Sequence, residues 1–160
     1  MFLPNEQMRR VHRLRGALAL SSKINSESYV GECIMMNILA VAFGGALGST
    51  ARYLAVTVIG RCLPGIDFPY GTLTVNVIGC FLIAFIGGLA TDKIPLNAEA
   101  RFFIFTGILG GFTTFSAFGY ETFYFLKTSH FYLALFNILA NCLLGLGAVG
   151  LGYVTAKSLI

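Results

Sequence analysis

Residues 107–121 read GILGGFTTFSAFGYE and hold the densest set of chemically useful groups in the chain. A glycine pair, Gly110 and Gly111, precedes Thr113, Thr114 and Ser116, which are interleaved with Phe115 and Phe118. The stretch lies inside an apolar run long enough to cross a membrane. Lipid offers backbone groups no water, so an uninterrupted membrane helix has little use for Gly-Gly-x-Thr-Thr at its middle. Glycine raises the cost of helix, and β-branched threonines add to it. A helix broken within residues 110–114 frees carbonyls and amides that can hold an ion. Its first half would end in carbonyls of partial negative charge, suited to a hard cation such as Na⁺. A bent but continuous helix, its threonines bonded back to their own carbonyls, fits the same residues equally well.

The remaining polar groups of the apolar runs bear on which ion. They include Ser49, Thr50 and Arg52, then Thr72, Thr74 and Asn76, then Glu121 near the end of a run, and last Asn137 and Asn141. Asp, Glu, Lys and His are missing from the middle of every run. A proton-coupled exporter keeps a titratable group at mid-depth, and cation pores often carry acidic rings. Amides and hydroxyls can donate hydrogen bonds to an anion. An aromatic ring has a positive edge, and Phe115 and Phe118, three apart, project to similar sides of a helix. Taking even a carboxylate-sized ion out of water costs on the order of 20 kcal/mol in the Born limit, so such donors must replace water along a path. The plainer alternatives stand beside this. The two rings are ordinary packing among 15 phenylalanines, or the asparagines are interhelical glue worth about 1 kcal/mol each.

Four elements must carry these groups. The 160 residues are 56% hydrophobic and 11% charged, with a mean hydropathy of +0.78. Soluble domains average about 25% charged residues. Runs of roughly 20 apolar residues span a bilayer. Residues 37–58, 70–90, 102–126 and 131–155 qualify. The connections RCLPGIDFP, TDKIPLNAEAR and KTSH leave no room for a soluble domain. The expectation is an all-α integral membrane protein whose third helix is broken near residues 110–114, with both termini on one side. Gly44 and Gly48, Gly107 and Gly111, and Gly145, Gly147, Gly150 and Gly152 let backbones approach closely, within one subunit or between two.

Beyond the first 35 residues, Lys93, Arg101 and Lys157 lie on the side of the termini, against Arg61 and Lys127 on the other. That near balance sets no clear orientation. It predicts insertion both ways and antiparallel dimers. Residues 1–35 carry Arg9, Arg10, Arg13, Arg15 and Lys23. They read as a disordered extension or a start placed too early, with residues 36–160 forming the channel domain. A basic surface helix is the alternative, since Val11, Leu14 and Leu18 share a helical face. If translated, the extension's charge would pull the N-terminus to the cytoplasm. Cys33, Cys62, Cys80 and Cys142 show no metal spacing and no disulfide framework. The net charge of +4 comes largely from the extension and gives no case for a nucleic-acid partner.

Four blocks of residues resemble the Fluc (CrcB) family of fluoride channels. The first holds Gly44-Gly45, Gly48 and Arg52-Tyr53, similar to GGxxGxxxRY. The second holds Gly71-Thr72-Leu73, Val75-Asn76 and Gly79, similar to GTLxVNxxG. The third runs from Gly110 to Phe118 and adds Glu121, similar to GGxTTFSTFxxE. The fourth is a weaker, glycine-rich match in the last run. Together they cover about residues 36–157.

The resemblance implies an antiparallel, dual-topology homodimer in the inner (plasma) membrane, with two fluoride pathways through the lipid bilayer. It implies that Phe115 and Phe118 flank fluoride by their ring edges and that Asn76 lines the pore. Thr114 and Ser116 would belong to a polar track, and Asn141 would continue it on the last helix. Arg52 would sit near a vestibule and draw in anions. A structural Na⁺ would lie at the dimer centre, held by the backbone carbonyls of Gly110 and Thr113 of each subunit. Transport would be passive and protect the cell from fluoride.

Departures are Ala117 where the family often has Thr, Gly119 where Ser is common, Ala84 where Gly is common, and Asn141 at a position often held by Ser. A small dual-topology exporter would need a carboxylate in the first span, which is absent there. A non-transporting membrane scaffold would tolerate substitution at Asn76 and Phe115. An enzyme is not expected, because no base accompanies Thr114 or Ser116 within the membrane.

Overall fold

Four helical stretches are long and apolar enough to cross a membrane: Gly31–Cys62, Tyr70–Thr91, Ala98–Lys127 and Phe131–Ser158. They coincide with the four runs expected from composition, lengthened at most ends. The computed structural model describes residues 5–65, 67–92 and 95–159, with side chains described for 31–65, 67–91 and 95–159. Helix α1 is Asn5–Cys62, α2 is Tyr70–Asp92, α5 is Phe115–Lys127 and α6 is Phe131–Ser158. Between α2 and α5 lie the short helix α3 (Ala98–Arg101), a π-helical stretch (Phe102–Leu109) and one further turn, α4 (Gly110–Phe112). No strand occurs among the described residues. The chain forms two compact units, Met1–Ile38 and Leu39–Ile160. Residues 5–30 form the first part of helix α1; their side chains lie outside the described residues, and with them the expectation of a basic helix face.

Glycine backbones hold the second unit together. A Cβ on Gly44 would collide with the Phe103 carbonyl and lie 2.9 Å from Gly107 Cα. One on Gly48 would collide with the Ile108 carbonyl and lie 3.0 Å from Phe112 N. A Cβ on Gly111 would lie 2.8 Å from the Gly45 carbonyl oxygen. The GxxxG of α1 therefore interlocks with the GxxxG of the third span inside one subunit, backbone against backbone, as membrane helices do where the hydrophobic effect cannot press them together. Gly152 of α6 abuts the Phe81 carbonyl of α2 in the same way. A Cβ on Gly147 or Gly150 would meet no other element within 4 Å in the protomer. The buried cluster is small: Phe68, Leu73, Phe125, Ala134 and Ala140. Large apolar side chains are instead spread over the outside, Tyr132 and Leu146 among them, as lipid or a second copy would demand.

The third span breaks where threonines follow glycines. Thr113 N–H makes the last helical bond, to the Leu109 carbonyl at 3.0 Å. Thr113 and Thr114 are then extended, at φ −83°, ψ 159° and φ −151°, ψ 113°. Gly110–Phe112 stays helical, so the break occupies only the C-terminal end of the five residues expected to carry it. Both threonine hydroxyls serve the adjoining halves. Thr113 Oγ1 bonds back to the Leu109 carbonyl at 3.0 Å. Thr114 Oγ1 accepts from Ala117 N–H at 3.2 Å as the N-cap of α5, the usual use of a threonine at a helix start.

Candidate functional site

The break is held open by a side chain from another helix. In an unbroken helix Thr114 N–H would donate to the Gly110 carbonyl. Here it donates to Asn76 Oδ1 of α2 at 2.8 Å. Asn76 Nδ2 returns a bond to the Thr114 carbonyl at 3.2 Å. One carboxamide thus takes both backbone groups of Thr114, and the Gly110 carbonyl loses the partner a continuous helix would give it. On the other side of the break, Arg52 Nη1 donates to the Thr113 carbonyl at 3.2 Å. Arg52 lies four residues beyond Gly48 on the face of α1 that packs on this span. Its guanidinium meets the carbonyl end of the first half-helix, where a cation is favoured.

A cavity of about 340 Å³ opens beside this break. It gathers Asn76, Gly110, Thr113, Thr114, Phe115, Phe118 and Asn141, all named by the sequence. The rings of Phe115 and Phe118 meet edge to face, with centroids 5.4 Å apart and planes at 62°. In that geometry the positive rim of one ring meets the negative face of the other. Phe118 is partly buried, whereas Phe115 is 82% exposed on the single protomer. Ser116 does not line the cavity, but its hydroxyl lies 3.2 Å from Thr114 Oγ1. Arg52 does not line it either and reaches it only through Thr113.

The asparagines of α6 continue the polar lining. Asn76 Nδ2 also donates to Asn141 Oδ1 at 3.0 Å. Asn141 Nδ2 donates to Asn137 Oδ1 and to the Asn137 carbonyl, each at 3.0 Å. Asn137 Nδ2 donates to Thr122 Oγ1 at 2.9 Å. Asn137 has no exposed surface at all, one of the two largest side chains so enclosed. Sequence reasoning named Asn137 with Asn141 as polar groups of the last run, with interhelical glue as one reading, but gave Asn137 no place beside the ion path. Its four-residue spacing from Asn141 was the available signal. Cys80 and Cys142, set aside by spacing, also line the cavity, and both are free thiols.

Glu121 sits apart from this cavity and is common to two others, of about 440 and 270 Å³. Its Oε1 accepts from the Thr72 hydroxyl at 2.5 Å. Its Oε2 is buried with no hydrogen-bond partner among the described residues. No group of three His, Cys, Asp or Glu that could hold a metal occurs among the described residues. Oxygen is the donor that hard cations take, and the Gly110 and Thr113 carbonyls are two such oxygens per protomer.

Comparison with known proteins gives the same picture over most of the chain. The family described as CrcB-like protein, Camphor Resistance (CrcB) matches residues 39–153. A protein of Parabacteroides distasonis named fluoride-specific ion channel FluC is 41% identical over 126 residues, 79% of this chain and 97% of the relative. Its namesake in Geobacter metallireducens is 45% identical over 125 residues, 78% of this chain and 100% of the relative. The namesake in Aquifex aeolicus is 42% identical over 122 residues, 76% of this chain and 98% of the relative.

Proposed function

The chain belongs to the CrcB family, and from that premise we propose that this multi-pass membrane protein is a fluoride-selective channel. It lets fluoride leave the cell passively and so protects against fluoride toxicity. The observation that carries this reading is the convergence of Asn76, the Thr113–Thr114 break and the Phe115–Phe118 pair on one uncharged cavity. A small anion stripped of water needs donors along its whole path; this lining carries amides, hydroxyls and aromatic rings without a fixed negative charge, and an ion takes the Asn76 and Asn141 amide hydrogens only in exchange for the partners they hold in the protomer. Among the residues expected to serve it, Phe115, Phe118, Asn76, Thr114 and Asn141 line the pathway. Ser116 supports Thr114, and Arg52 supplies positive potential at the break.

The functional unit is an antiparallel homodimer in the plasma membrane. Exposure of Phe115 on the single protomer supports this reading, since a ring at 82% exposure needs a second copy to enclose an ion. A structural Na⁺ would be held by the Gly110 and Thr113 carbonyls of both subunits. When bound it supplies fixed positive charge at the dimer centre. The Asn76 clamp keeps the Gly110 carbonyl out of the helical ladder, whereas the Thr113 carbonyl already accepts from Arg52, so a sodium ion there would share that oxygen with a guanidinium.

Purified protein in liposomes, read with a fluoride electrode after addition of valinomycin, is expected to show fast fluoride efflux and no chloride efflux. Equal leakage of both halides, or none of fluoride from well-folded protein, would overturn the reading. The antiparallel arrangement also makes a topological prediction. Lys and Arg near span ends orient membrane helices whereas acidic residues count little, so the extension biases the termini inward. Replacing Arg13, Arg15 and Lys23 together with glutamine, the basic residues of the extension within about 20 residues of the span beginning at Gly31, is expected to bring the two orientations closer to equal. Labelling of Cys33 and Cys62 by a membrane-impermeant maleimide on intact cells reads this directly. Unchanged labelling would show that the extension does not steer insertion.

A further inference from the structure

The buried amides form a chain that runs in one direction. Thr114 N–H donates to Asn76, Asn76 to Asn141, Asn141 to Asn137, and Asn137 to Thr122. The Thr122 hydroxyl donates in turn to the Phe118 carbonyl at 2.8 Å. The chain starts at the residue before Phe115 and ends on the backbone of Phe118. It therefore loops from the first turn of α5 through α2 and α6 and back, and encloses the turn that carries both rings.

The direction is self-consistent at every link. Asn141 offers its oxygen to Asn76 only while its own NH₂ faces Asn137. Asn137 offers its oxygen to Asn141 only while its NH₂ faces Thr122, whose hydrogen is committed to Phe118. Flipping any one carboxamide would set oxygen against oxygen or NH₂ against NH₂. With Asn137 wholly enclosed and Thr122 8% exposed, water cannot repair such a mismatch, so the links stand or fall together.

We propose that Asn137 is a positioning residue for the anion pathway. Acting through Thr122 on one side and Asn141 on the other, it fixes the turn bearing Phe115 and Phe118 and the orientation of the Asn76 carboxamide that clamps the break. This rests on the channel reading above.

The test uses the full chain in liposomes with Asn137→Leu, Thr122→Val, the pair combined, and Thr122→Ser. Asn137→Leu and Thr122→Val are each expected to lower fluoride efflux at least tenfold. The combined variant should be no worse than the poorer single one, because a chain broken once is broken. Thr122→Ser, which keeps the hydroxyl, should retain efflux. Amide exchange over residues 114–118 should quicken in both single variants, which reads the positioning without any ion flux. Valine matches threonine in shape, so Thr122→Val carries the test should Asn137→Leu fail to fold. Wild-type efflux and exchange in Thr122→Val, or losses that add in the combined variant, would overturn the proposal. A wild-type protein that passes no fluoride would refute the channel reading instead, and amide exchange would still decide the role of Asn137.

Discussion

Asn76→Asp is expected to abolish fluoride efflux from liposomes while leaving the protein folded. The new carboxylate keeps an acceptor for Thr114 N–H, which Asn76 Oδ1 now holds at 2.8 Å. It replaces Nδ2, however, with an oxygen facing the Thr114 carbonyl at 3.2 Å and Asn141 Oδ1 at 3.0 Å. Two hydrogen bonds become oxygen–oxygen contacts, and the clamp on the break loosens. The second effect is electrostatic and larger. A unit charge about 4 Å from a permeating anion, at an effective dielectric near 20, opposes it by roughly 4 kcal/mol. At about 1.4 kcal/mol for each factor of ten, occupancy beside the carboxylate falls about a thousandfold. The fluoride electrode should then record a rate close to that of empty liposomes. Wild-type flux would remove Asn76 from the path and leave it only its hold on the break.

That double duty of Asn76 marks how far the sequence could be read. The four spans were legible because hydropathy depends only on composition along the chain. The residues around the cavity were legible as polar groups in an apolar setting. The partners were not. Asn76 reads as a donor for an ion, yet in the protomer its amide hydrogens already serve Thr114 and Asn141. The π-helical stretch Phe102–Leu109 could not be foreseen from FFIFTGIL, since an apolar run carries no mark distinguishing bonds four apart from bonds five apart. The break was foreseen at residues 110–114 but falls on Thr113 and Thr114. Glycine permits a break, while the residue that fixes its place is Asn76, 38 positions away. Arg52 was read as a vestibule charge, and its bond to the Thr113 carbonyl depends on how closely α1 approaches.

That approach makes Gly48→Ala the most damaging small change outside the cavity. The added Cβ would overlap the Ile108 carbonyl and press within 3.0 Å of Phe112 N. Both are main-chain atoms of the third span, so no side chain can turn aside to make room. Overpacking a well-filled interior costs about 1–3 kcal/mol, and the upper end applies where only backbone can move. The helix-propensity gain from glycine to alanine, about 1 kcal/mol in the other direction, does not offset it. Gly45→Ala is the matched control: it makes the same gain on the same helix, and nothing lies within 4 Å of its Cβ in the protomer. The melting temperature in detergent, followed by size-exclusion chromatography, should drop for Gly48→Ala and hold or rise for Gly45→Ala. Efflux should fall with it, because pushing α1 outward withdraws Arg52 from the Thr113 carbonyl one turn further on. Equal melting of the two variants would mean that α1 does not lie this close to the broken span, and the bond from Arg52 to the break would fall with that contact.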